Sequence, residues 1–301
     1  MENFRPSPYH PNMPREWHIA NGRTLPIGNR TLVMGVLNVT PDSFSDGGQF
    51  LSLDQALAHA EQMIAEGADI IDVGGESTRP GGAAAVSAAE EMQRVIPVIE
   101  RLARDAAVPI SIDTTKSEVA RAALEAGAAI VNDISALRFD AQVADAAAKA
   151  GAGLVLMHSR GTLATLHQLP PVPDVFAEVI NSLRTSVAAA EERGVKRESI
   201  VIDPGIGFGK SQEQNLELIA RLNQFIAAFP EFPILIGTSR KSFLGRLLKE
   251  AAGVAAPASN RLHGTMATVT AAILNGAHIV RVHDVRASVE TIRVAESLRL
   301  G

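Results

Sequence analysis

The chain has 301 residues, a formal net charge of -5, a pI near 5.9 and no cysteine. Disulfide bonds and thiolate metal sites are therefore excluded, and the absence of any basic run gives no support to nucleic-acid binding. A chain of this length buries about three quarters of the surface that its unfolded form exposes, so one large α/β domain or two ordinary ones would fit.

The N-terminal segment is polar. Residues 1–15 contain four prolines and no apolar core, which predicts a flexible tail rather than a signal peptide. No apolar run approaches the roughly 18 residues that cross a bilayer. We therefore expect a soluble, cytoplasmic protein without a membrane partner, whose folded domain covers residues 16–301. An Asn21-Gly22 pair between short apolar segments predicts a hairpin at its start.

After the hairpin, short apolar segments alternate with amphipathic ones. The apolar segments predict strands at Leu32–Asn38, Ile70–Gly74, Ile110–Asp113, Ile130–Asp133, Leu154–His158, Ile200–Asp203, Ile234–Gly237 and Ile279–His283. The amphipathic stretches predict helices such as Leu53–Glu66, Ala88–Arg104, Ser117–Ala126, Val175–Arg193 and Gln214–Phe229. This alternation indicates an α/β fold, a single (β/α)8 TIM barrel with a short N-terminal hairpin extension. An open doubly wound sheet is the alternative, but it usually has fewer strands.

The stretch Ile202-Asp-Pro-Gly-Ile-Gly-Phe-Gly-Lys-Ser211 looks like a phosphate-binding loop, but its spacing does not fit one. A P-loop would place a glycine where Pro204 stands, and proline has no N–H for a phosphate. The strict alternation of Gly205, Gly207 and Gly209 also fails the dinucleotide fingerprint. The glycines are better explained by backbone lying close to a flat ligand while Asp203 points into the barrel.

Polar residues follow the strands, where the active site of such a barrel lies. Asp113, Asn132 and Asp203 offer carboxylate and amide groups that suit a flat heterocycle with several N–H donors. A second group is cationic or hydrogen-bond donating and suits a phosphate or diphosphate; its members are Arg79, Lys241, Arg281 and His283. Asn38 would help to hold a Mg²⁺ that keeps mostly water and phosphate ligands.

Each of these residues also has a structural interpretation. Asp113 and Asp133 would serve as caps or turn formers, and His158 would be a hydrogen-bonding residue at a wet pocket rim. Lys210 and Lys249 are expected to be solvated charges on helix faces. The functional interpretation is favoured because a barrel directs all of its strand ends to one central mouth.

Seven motifs between about Thr31 and Val294 closely resemble those of the dihydropteroate synthase family. They begin at Leu37 (LNVTPDSFSDGG), Asp72 (DVGGESTRPG), Ser111 (SIDT), Asn132 (NDI), Asp203 (DPGIGFGK), Thr238 (TSRKSF) and Arg281 (RVHDV). The resemblance implies that 4-aminobenzoate displaces pyrophosphate from dihydropterin-methyl diphosphate to give dihydropteroate, with Mg²⁺ as the cofactor. It also implies a homodimer.

The resemblance further implies residue roles. The pterin ring would be held by Asp113, Asn132, Asp203 and Lys241, with Ile134, Met157 and Phe208 around it. The diphosphate and Mg²⁺ would meet Asn38, Arg79, Arg281, Val282 and His283. The aminobenzoate site would comprise Phe44, Thr78, Pro80 and Ser242. Asp46 would lie on a mobile loop over the reacting centre, and it would act in catalysis with Arg79, Asp113, Asp203 and Lys241.

One segment departs from the family pattern. The family usually continues the fifth strand as Met-His-Met-Arg-Gly, whereas here Met157-His158 is followed by Ser159-Arg160-Gly161-Thr162-Leu163. Two rival functions remain open: a pterin-barrel methyltransferase acting on methyl-folate, and a non-catalytic pterin-binding homologue. The first would have no use for the Gly74–Arg79 or Ser43–Gly48 segments, and the second predicts loss of Asp46, Arg79 or His283.

Overall fold

The apolar segments of the sequence form one parallel sheet that curves into a barrel. The computed structural model describes residues 15–40, 49–76, 86–162, 165, 169–249 and 253–300. Within them the barrel strands are β3 (Leu32–Asn38), β4 (Ile70–Gly74), β5 (Ile110–Asp113), β6 (Ile130–Asp133), β7 (Gly153–Met157), β8 (Ile200–Asp203), β9 (Leu235–Ile236) and β10 (Ile279–Val282). Their order is β8-β7-β6-β5-β4-β3-β10-β9, and all neighbours are parallel.

A bridge between the two outer strands closes this sheet. Ile202 of β8 forms a parallel bridge with Ile234, just before β9. The Ile202 N–H also donates to the Pro233 carbonyl at 3.1 Å. An open doubly wound sheet would leave both outer strands unpaired, so the barrel expectation is confirmed and the alternative is wrong.

The helices surround the barrel. Those described are α1 (Gln49–Ala65), α2 (Ala88–Asp105), α3 (Ser117–Glu125), α4 (Gln142–Ala150), α5 (Val175–Glu192), α6 (Gln212–Ala220), α7 (Leu222–Ala228), α8 (Ser242–Leu247), α9 (Leu262–Leu274) and α10 (Val285–Leu300). The single helix expected over Gln214–Phe229 is wrong, because the chain breaks at Arg221 between α6 and α7. In the part of the chain that the structure describes, every helix is too short or too polar to cross a membrane.

Glycines end several helices. Gly67, Gly127 and Gly276 follow α1, α3 and α9 with φ of 105°, 109° and 98°. An L-residue adopts this region only with strain, so glycine ends the helix and turns the chain toward the next strand.

The N-terminal hairpin covers the bottom of the barrel. β1 (Glu16–Ile19) and β2 (Arg23–Pro26) pair antiparallel around Asn21 and Gly22, which confirms the predicted turn. Trp17 is fully buried, and its indole N–H donates to the Ser199 carbonyl at 2.9 Å. A Cβ on Gly153 would lie 2.9 Å from the Trp17 ring, so the start of β7 must be glycine. The tail expected over residues 1–15 lies almost wholly outside the described residues.

Candidate active site

Strand register aligns the last residues of four barrel strands and brings the end of β8 beside the end of β7. Across β3 to β6 the partners in register run Asn38, Gly74, Asp113 and Asn132. Met157 of β7 is in register with Asp203 of β8. The strands below these residues are buried along most of their length, so the polar groups stand on an apolar floor.

A network of two carboxylates, a guanidinium and an amide crosses this mouth. The Arg281 Nε donates to Asp72 Oδ2 at 2.6 Å, and Arg281 Nη2 donates to Asp113 Oδ2 at 2.7 Å. The Asn132 Nδ2 donates to the same Asp72 oxygen at 3.0 Å. Since its N–H groups face Asp72, the amide of Asn132 has its own oxygen left to accept from a ligand. Residues on four strands are thereby held together inside the barrel.

The charge state of Asp113 responds to its surroundings. Burial raises its pKa to about 7, Arg281 opposes that rise, and Asp72, Glu91 and Asp133 add to it. The group therefore titrates near neutrality. A carboxyl poised in this way accepts hydrogen bonds from a ring when ionised and loses that capacity as it is protonated.

Asp203 and Lys241 form a second polar pair at the mouth. Asp203 is 4 % exposed, and its Oδ1 accepts from the Gly205 N–H at 2.6 Å. Burial raises the pKa of Asp203, and the charge of Lys241 acts against this. The Lys241 ammonium donates to the Ile206 carbonyl and lies 4.2 Å from the centre of the Phe208 ring. Burial lowers the pKa of Lys241 to about 8, against the attraction of Asp203.

The glycine-rich loop packs tightly against the protein itself. Gly205, Gly207 and Gly209 have φ of 68°, 88° and 70°. A Cβ on Gly205 would overlap the His158 carbonyl oxygen, and one on Gly207 would lie 2.9 Å from the Lys241 side chain. One on Gly209 would lie 2.6 Å from the Arg160 Cβ. These alternating glycines therefore have a structural cause, the close approach of backbone to the segment that follows β7 and to Lys241.

Lys210 braces this loop, so the expectation of a solvated helix-face charge is wrong for it. Its ammonium donates to the carbonyls of Gly205 at 2.7 Å and Phe208 at 3.2 Å, and lies 2.9 Å from His158 Nδ1. Burial lowers its pKa well below the ordinary value. His158 is 2 % exposed, and burial followed by the charge of Lys210 lowers its pKa strongly, so its ring is neutral. His158 is thus a buried residue rather than a wet-rim residue, while Lys249 is exposed as expected.

The loops after β9 and β10 are joined beside the mouth. The His283 N–H donates to Ser239 Oγ at 3.1 Å, and that hydroxyl lies 3.0 Å from His283 Nδ1. Arg240 forms an ion pair with Asp284, donating from Nε to Oδ2 at 3.0 Å and from Nη2 to Oδ1. These contacts between the two loops hold His283 near Ser242, the first residue of α8.

Apolar side chains stand around the polar groups. Ile134 and Met157 are 7 % and 4 % exposed, Val282 is fully buried, and Phe208 is partly buried. Asp133 has a structural role: its two oxygens accept from the N–H groups of Ser135 at 2.8 Å and Leu137 at 2.6 Å. These bonds hold a turn in which φ is positive at Ala136 and Leu137. The structural interpretation of Asp133 as a turn former is confirmed.

Five residues of the expected site lie outside the described residues: Phe44, Asp46, Thr78, Arg79 and Pro80. The chain on either side of residues 77–85 is nevertheless well anchored. Glu76 accepts from the Val86 N–H at 2.9 Å, and the Lys116 ammonium lies 2.6 Å from both Glu76 and Glu91. The Glu91 side chain is 1 % exposed, so Lys116 neutralises a charge that has no access to water.

The segment that departs from the family pattern has its own contacts. Ser159 accepts from Arg138 at 3.0 Å, and Arg160 donates to the Gly209 carbonyl at 2.9 Å. A serine at this position therefore links the loop after β6 to the loop after β7.

Asn38 is the residue assigned to a cation. Its side chain is partly buried and makes no hydrogen bond to the part of the chain that the structure describes, so its amide oxygen is open. Among the same residues, no cluster of three His, Asp or Glu side chains could hold a metal. One open amide oxygen fits Mg²⁺, which takes few protein ligands and completes its shell with phosphate and water.

Sequence reasoning assigned no functional role to Asp72, Glu76, Lys116 or Lys210. For Asp72 a signal was present, because a carboxylate interrupts the apolar run of β4 between Ile71 and Val73. A charge in the middle of a buried strand requires a partner. The contacts of Lys116 and Lys210 join residues far apart in sequence, and no local pattern could reveal them.

The closed barrel, with hydrogen-bond acceptors and cations at the carboxyl ends of its strands, defines a TIM-barrel enzyme that binds a small polar molecule. The sequence matches the family described as "Pterin binding enzyme" over residues 34–283. It is 49 % identical to a dihydropteroate synthase of Escherichia coli K12 over 265 residues, covering 88 % of this chain and 90 % of the relative.

Solved structures agree. A Xanthomonas albilineans dihydropteroate synthase with 4-aminobenzoic acid gives a TM-score of 0.85 at 42 % identity, covering 95 % of this chain and 99 % of that one. The Burkholderia cenocepacia enzyme complexed with 7,8-dihydropteroate gives 0.82 at 40 % identity, covering 96 % and 98 %. The chain therefore belongs to the dihydropteroate synthases of the pterin-binding enzyme family, transferases of folate biosynthesis.

Proposed function

We propose that this chain joins 4-aminobenzoate to the methylene carbon of dihydropterin-methyl diphosphate at the barrel mouth described above. The observation that carries the proposal is a set of hydrogen-bond acceptors at the carboxyl ends of β5, β6 and β8, namely Asp113, Asn132 and Asp203, beside two cations, Lys241 and Arg281. A flat ring with N–H donors matches the acceptors, and a diphosphate matches the cations.

The ring would be held from below and from the side. Asp203 keeps one oxygen on Gly205, so its other oxygen accepts from the ring. Asn132 presents its amide oxygen because its N–H groups face Asp72. Lys241 supplies a cationic donor, and Ile134, Met157 and Phe208 provide the apolar walls.

The diphosphate would lie toward β10. Arg281, His283 and the backbone at Val282 are the groups assigned to it, and Asn38 would contribute one oxygen to the cation that accompanies it. A bound Mg²⁺ neutralises the charge that develops on the departing diphosphate. The two described contacts of Arg281 use two of its five N–H donors, which leaves donors for an anion.

The reaction needs no protein nucleophile. The amine nitrogen of 4-aminobenzoate forms a bond to the methylene carbon, the C–O bond to the diphosphate breaks, and pyrophosphate leaves with the electron pair. The amine then loses one proton to solvent. Positive charge that develops on the pterin methylene would be stabilised by the carboxylates of Asp113 and Asp203. Ser242 at the start of α8 would meet the carboxylate of 4-aminobenzoate.

Homodimer formation is part of the proposal. Leu274, Val294 and Leu298 are 46 %, 63 % and 65 % exposed. Arg299 donates to the Ile273 carbonyl at 3.3 Å, so the ends of α9 and α10, which carry these side chains, lie close together. Exposed apolar groups on neighbouring helices favour an interface with a second copy. The mass of the protein in solution, measured by light scattering, tests this.

The activity is tested by pyrophosphate release from dihydropterin-methyl diphosphate with and without 4-aminobenzoate, together with detection of dihydropteroate. We expect release that requires 4-aminobenzoate and one dihydropteroate for each pyrophosphate. Release that is independent of 4-aminobenzoate would indicate a hydrolase. Binding of the pterin without any turnover would favour the non-catalytic homologue.

A further inference from the structure

We infer that Asp72 is a positioning residue of the ring-binding site, which orients Asn132 and shares the guanidinium of Arg281 with Asp113. The inference rests on the proposed function, because it concerns the side chains assigned to the pterin ring. It adds a residue that touches no substrate and acts through its neighbours.

The geometry of Asp72 carries the inference. The side chain is fully buried in the middle of β4, and its Oδ2 accepts from both Arg281 Nε at 2.6 Å and Asn132 Nδ2 at 3.0 Å. Its Oδ1 has no hydrogen-bond partner among the described residues. One oxygen therefore holds a residue of β10 and a residue of β6, both at the mouth.

Two consequences follow for ring binding. The contact with Asp72 turns the N–H groups of Asn132 inward and leaves its oxygen facing the pocket. The guanidinium of Arg281 is divided between Asp72 and Asp113, so Asp113 is only partly neutralised and can still accept from a ring. Without the charge of Asp72, Arg281 would interact more strongly with Asp113 and would compete with the ring for it.

Several other charges also face Asp113. Arg281 of β10 lowers its pKa, whereas Asp72 of β4, Glu91 of α2 and Asp133 of β6 raise it. The charge of Lys241, at the start of α8, also interacts with Asp113. Among the carboxylates that raise the pKa, Asp72 has the largest effect. Removal of its charge therefore lowers the pKa of Asp113.

The test uses the ring without the anion, so that the diphosphate site does not contribute. The probe is 6-hydroxymethyl-7,8-dihydropterin, titrated calorimetrically between pH 5 and 8 into the wild type, Asp72→Asn and Ser111→Ala. Ser111 is the matched control, because it is in register with Asp72 on β5, is fully buried and has a hydroxyl without a partner. Asparagine has the size of aspartate, so the substitution changes charge with little change in packing.

We expect Asp72→Asn to bind the probe roughly tenfold or more weakly, the effect of weakening one hydrogen bond to a charged group. We also expect the loss of affinity at low pH to begin at a lower pH than in the wild type. Ser111→Ala should match the wild type in both respects. The inference would be overturned if Asp72→Asn bound the probe with wild-type affinity and lost that affinity at the same acidic pH as the wild type. It would also be overturned if Ser111→Ala lost as much affinity as Asp72→Asn.

A measurement on the unaltered protein covers the case in which Asp72→Asn does not fold. The Nε–H of Arg281 should give a protected ¹⁵N resonance both before and after the probe binds, since its partner Asp72 is retained throughout. Loss of that protection on binding would overturn the inference. Wild-type turnover of dihydropterin-methyl diphosphate is measured beside these titrations, so failure of the proposed function would be seen separately.

Discussion

At the scale of single residues, Asp203 divides its two oxygens between the protein and the pocket. Oδ1 accepts from the Gly205 N–H at 2.6 Å, a bond within the turn that follows β8. The second oxygen makes no hydrogen bond to the rest of the described chain. This division lets one carboxylate fix its own loop and still present an acceptor to a ligand.

The Asp203→Asn variant should therefore fold like the wild type but bind the pterin ring much more weakly. The amide oxygen can retain the bond to Gly205, which turns the N–H groups toward the ring donors that the carboxylate would accept. Loss of charge-assisted bonds worth about 1.5–3 kcal/mol each predicts on the order of a hundredfold weaker pterin binding. Calorimetry measures the affinity for the pterin, and thermal unfolding shows whether the variant keeps the stability of the wild type. Unchanged affinity would remove Asp203 from the site.

Lys241 is a residue whose charge depends on its burial. Its pKa of about 8 lies below the ordinary lysine value because the ammonium is desolvated, which outweighs the attraction of Asp203. A group with this pKa is mostly protonated at pH 7 and loses its proton as the pH rises through about 8. The cationic donor in the ring pocket is lost in the same interval.

We predict that ring affinity and turnover fall on the alkaline side of about pH 8 in the wild type. Lys241→Arg should bind the ring more weakly at pH 7, because the longer side chain must fit above Gly207. Its affinity and turnover should not fall at alkaline pH, since arginine stays charged. The pH dependence of kcat/KM for both proteins tests this. If kcat/KM of Lys241→Arg fell at alkaline pH as it does in the wild type, the titrating group would be one other than Lys241.

At the scale of elements, the loop after β8 depends on backbone conformation as well as on side chains. Gly205, Gly207 and Gly209 all have positive φ, and each lies against another part of the protein. Lys210 crosses beneath them and donates to the carbonyls of Gly205 and Phe208. The loop that carries Phe208 is thus held from both sides.

Gly205→Ala should destabilise the loop after β8 by more than the cost of placing an L-residue at positive φ. A left-handed L-residue costs about 1–2 kcal/mol, and here the methyl group would also overlap the His158 carbonyl oxygen. Gly151→Ala is the matched control, because Gly151 has φ of 60° with nothing within 4 Å of its added Cβ. Denaturant unfolding should show a loss of about 1–2 kcal/mol for Gly151→Ala and a clearly larger one for Gly205→Ala. Equal losses would contradict the close packing of the loop.

At the scale of the whole molecule, the barrel collects contributions from many strands into one site. The described residues offer the proposed 4-aminobenzoate site one assigned polar side chain, Ser242. The remaining contacts are assigned to residues outside the described parts and to the bound pterin and diphosphate. We therefore expect the binding of one substrate to depend on the presence of the other.

We predict that 4-aminobenzoate binds weakly to the free protein and well once pterin, pyrophosphate and Mg²⁺ are present. The first ligands complete the pocket, so the second binds to a conformation already selected. Titration of 4-aminobenzoate with and without those ligands measures the difference. Equal curves would contradict an ordered scheme.

The sequence by itself determined the barrel and much of its mouth. Buried parallel strands must be apolar along their length, and helices that cover them must be amphipathic, so local periodicity was sufficient to place strands to within about a residue. Polar residues at strand ends could be assigned to the mouth because every such barrel directs those ends to one side. The positions of Asp113, Asn132 and Asp203 follow from that rule alone.

Only the tertiary structure decided how these groups are paired. Asp72 and Arg281 are 209 residues apart in sequence, and Lys210 and His158 are 52 apart. The first pair meets because β10 pairs with β3 next to β4, and the second because the segments that follow β7 and β8 lie side by side. No local pattern encodes either contact. The charge of each group depends on that pairing and on burial, so the pKa values near 7 and 8 of Asp113 and Lys241 follow from the fold rather than from residue type.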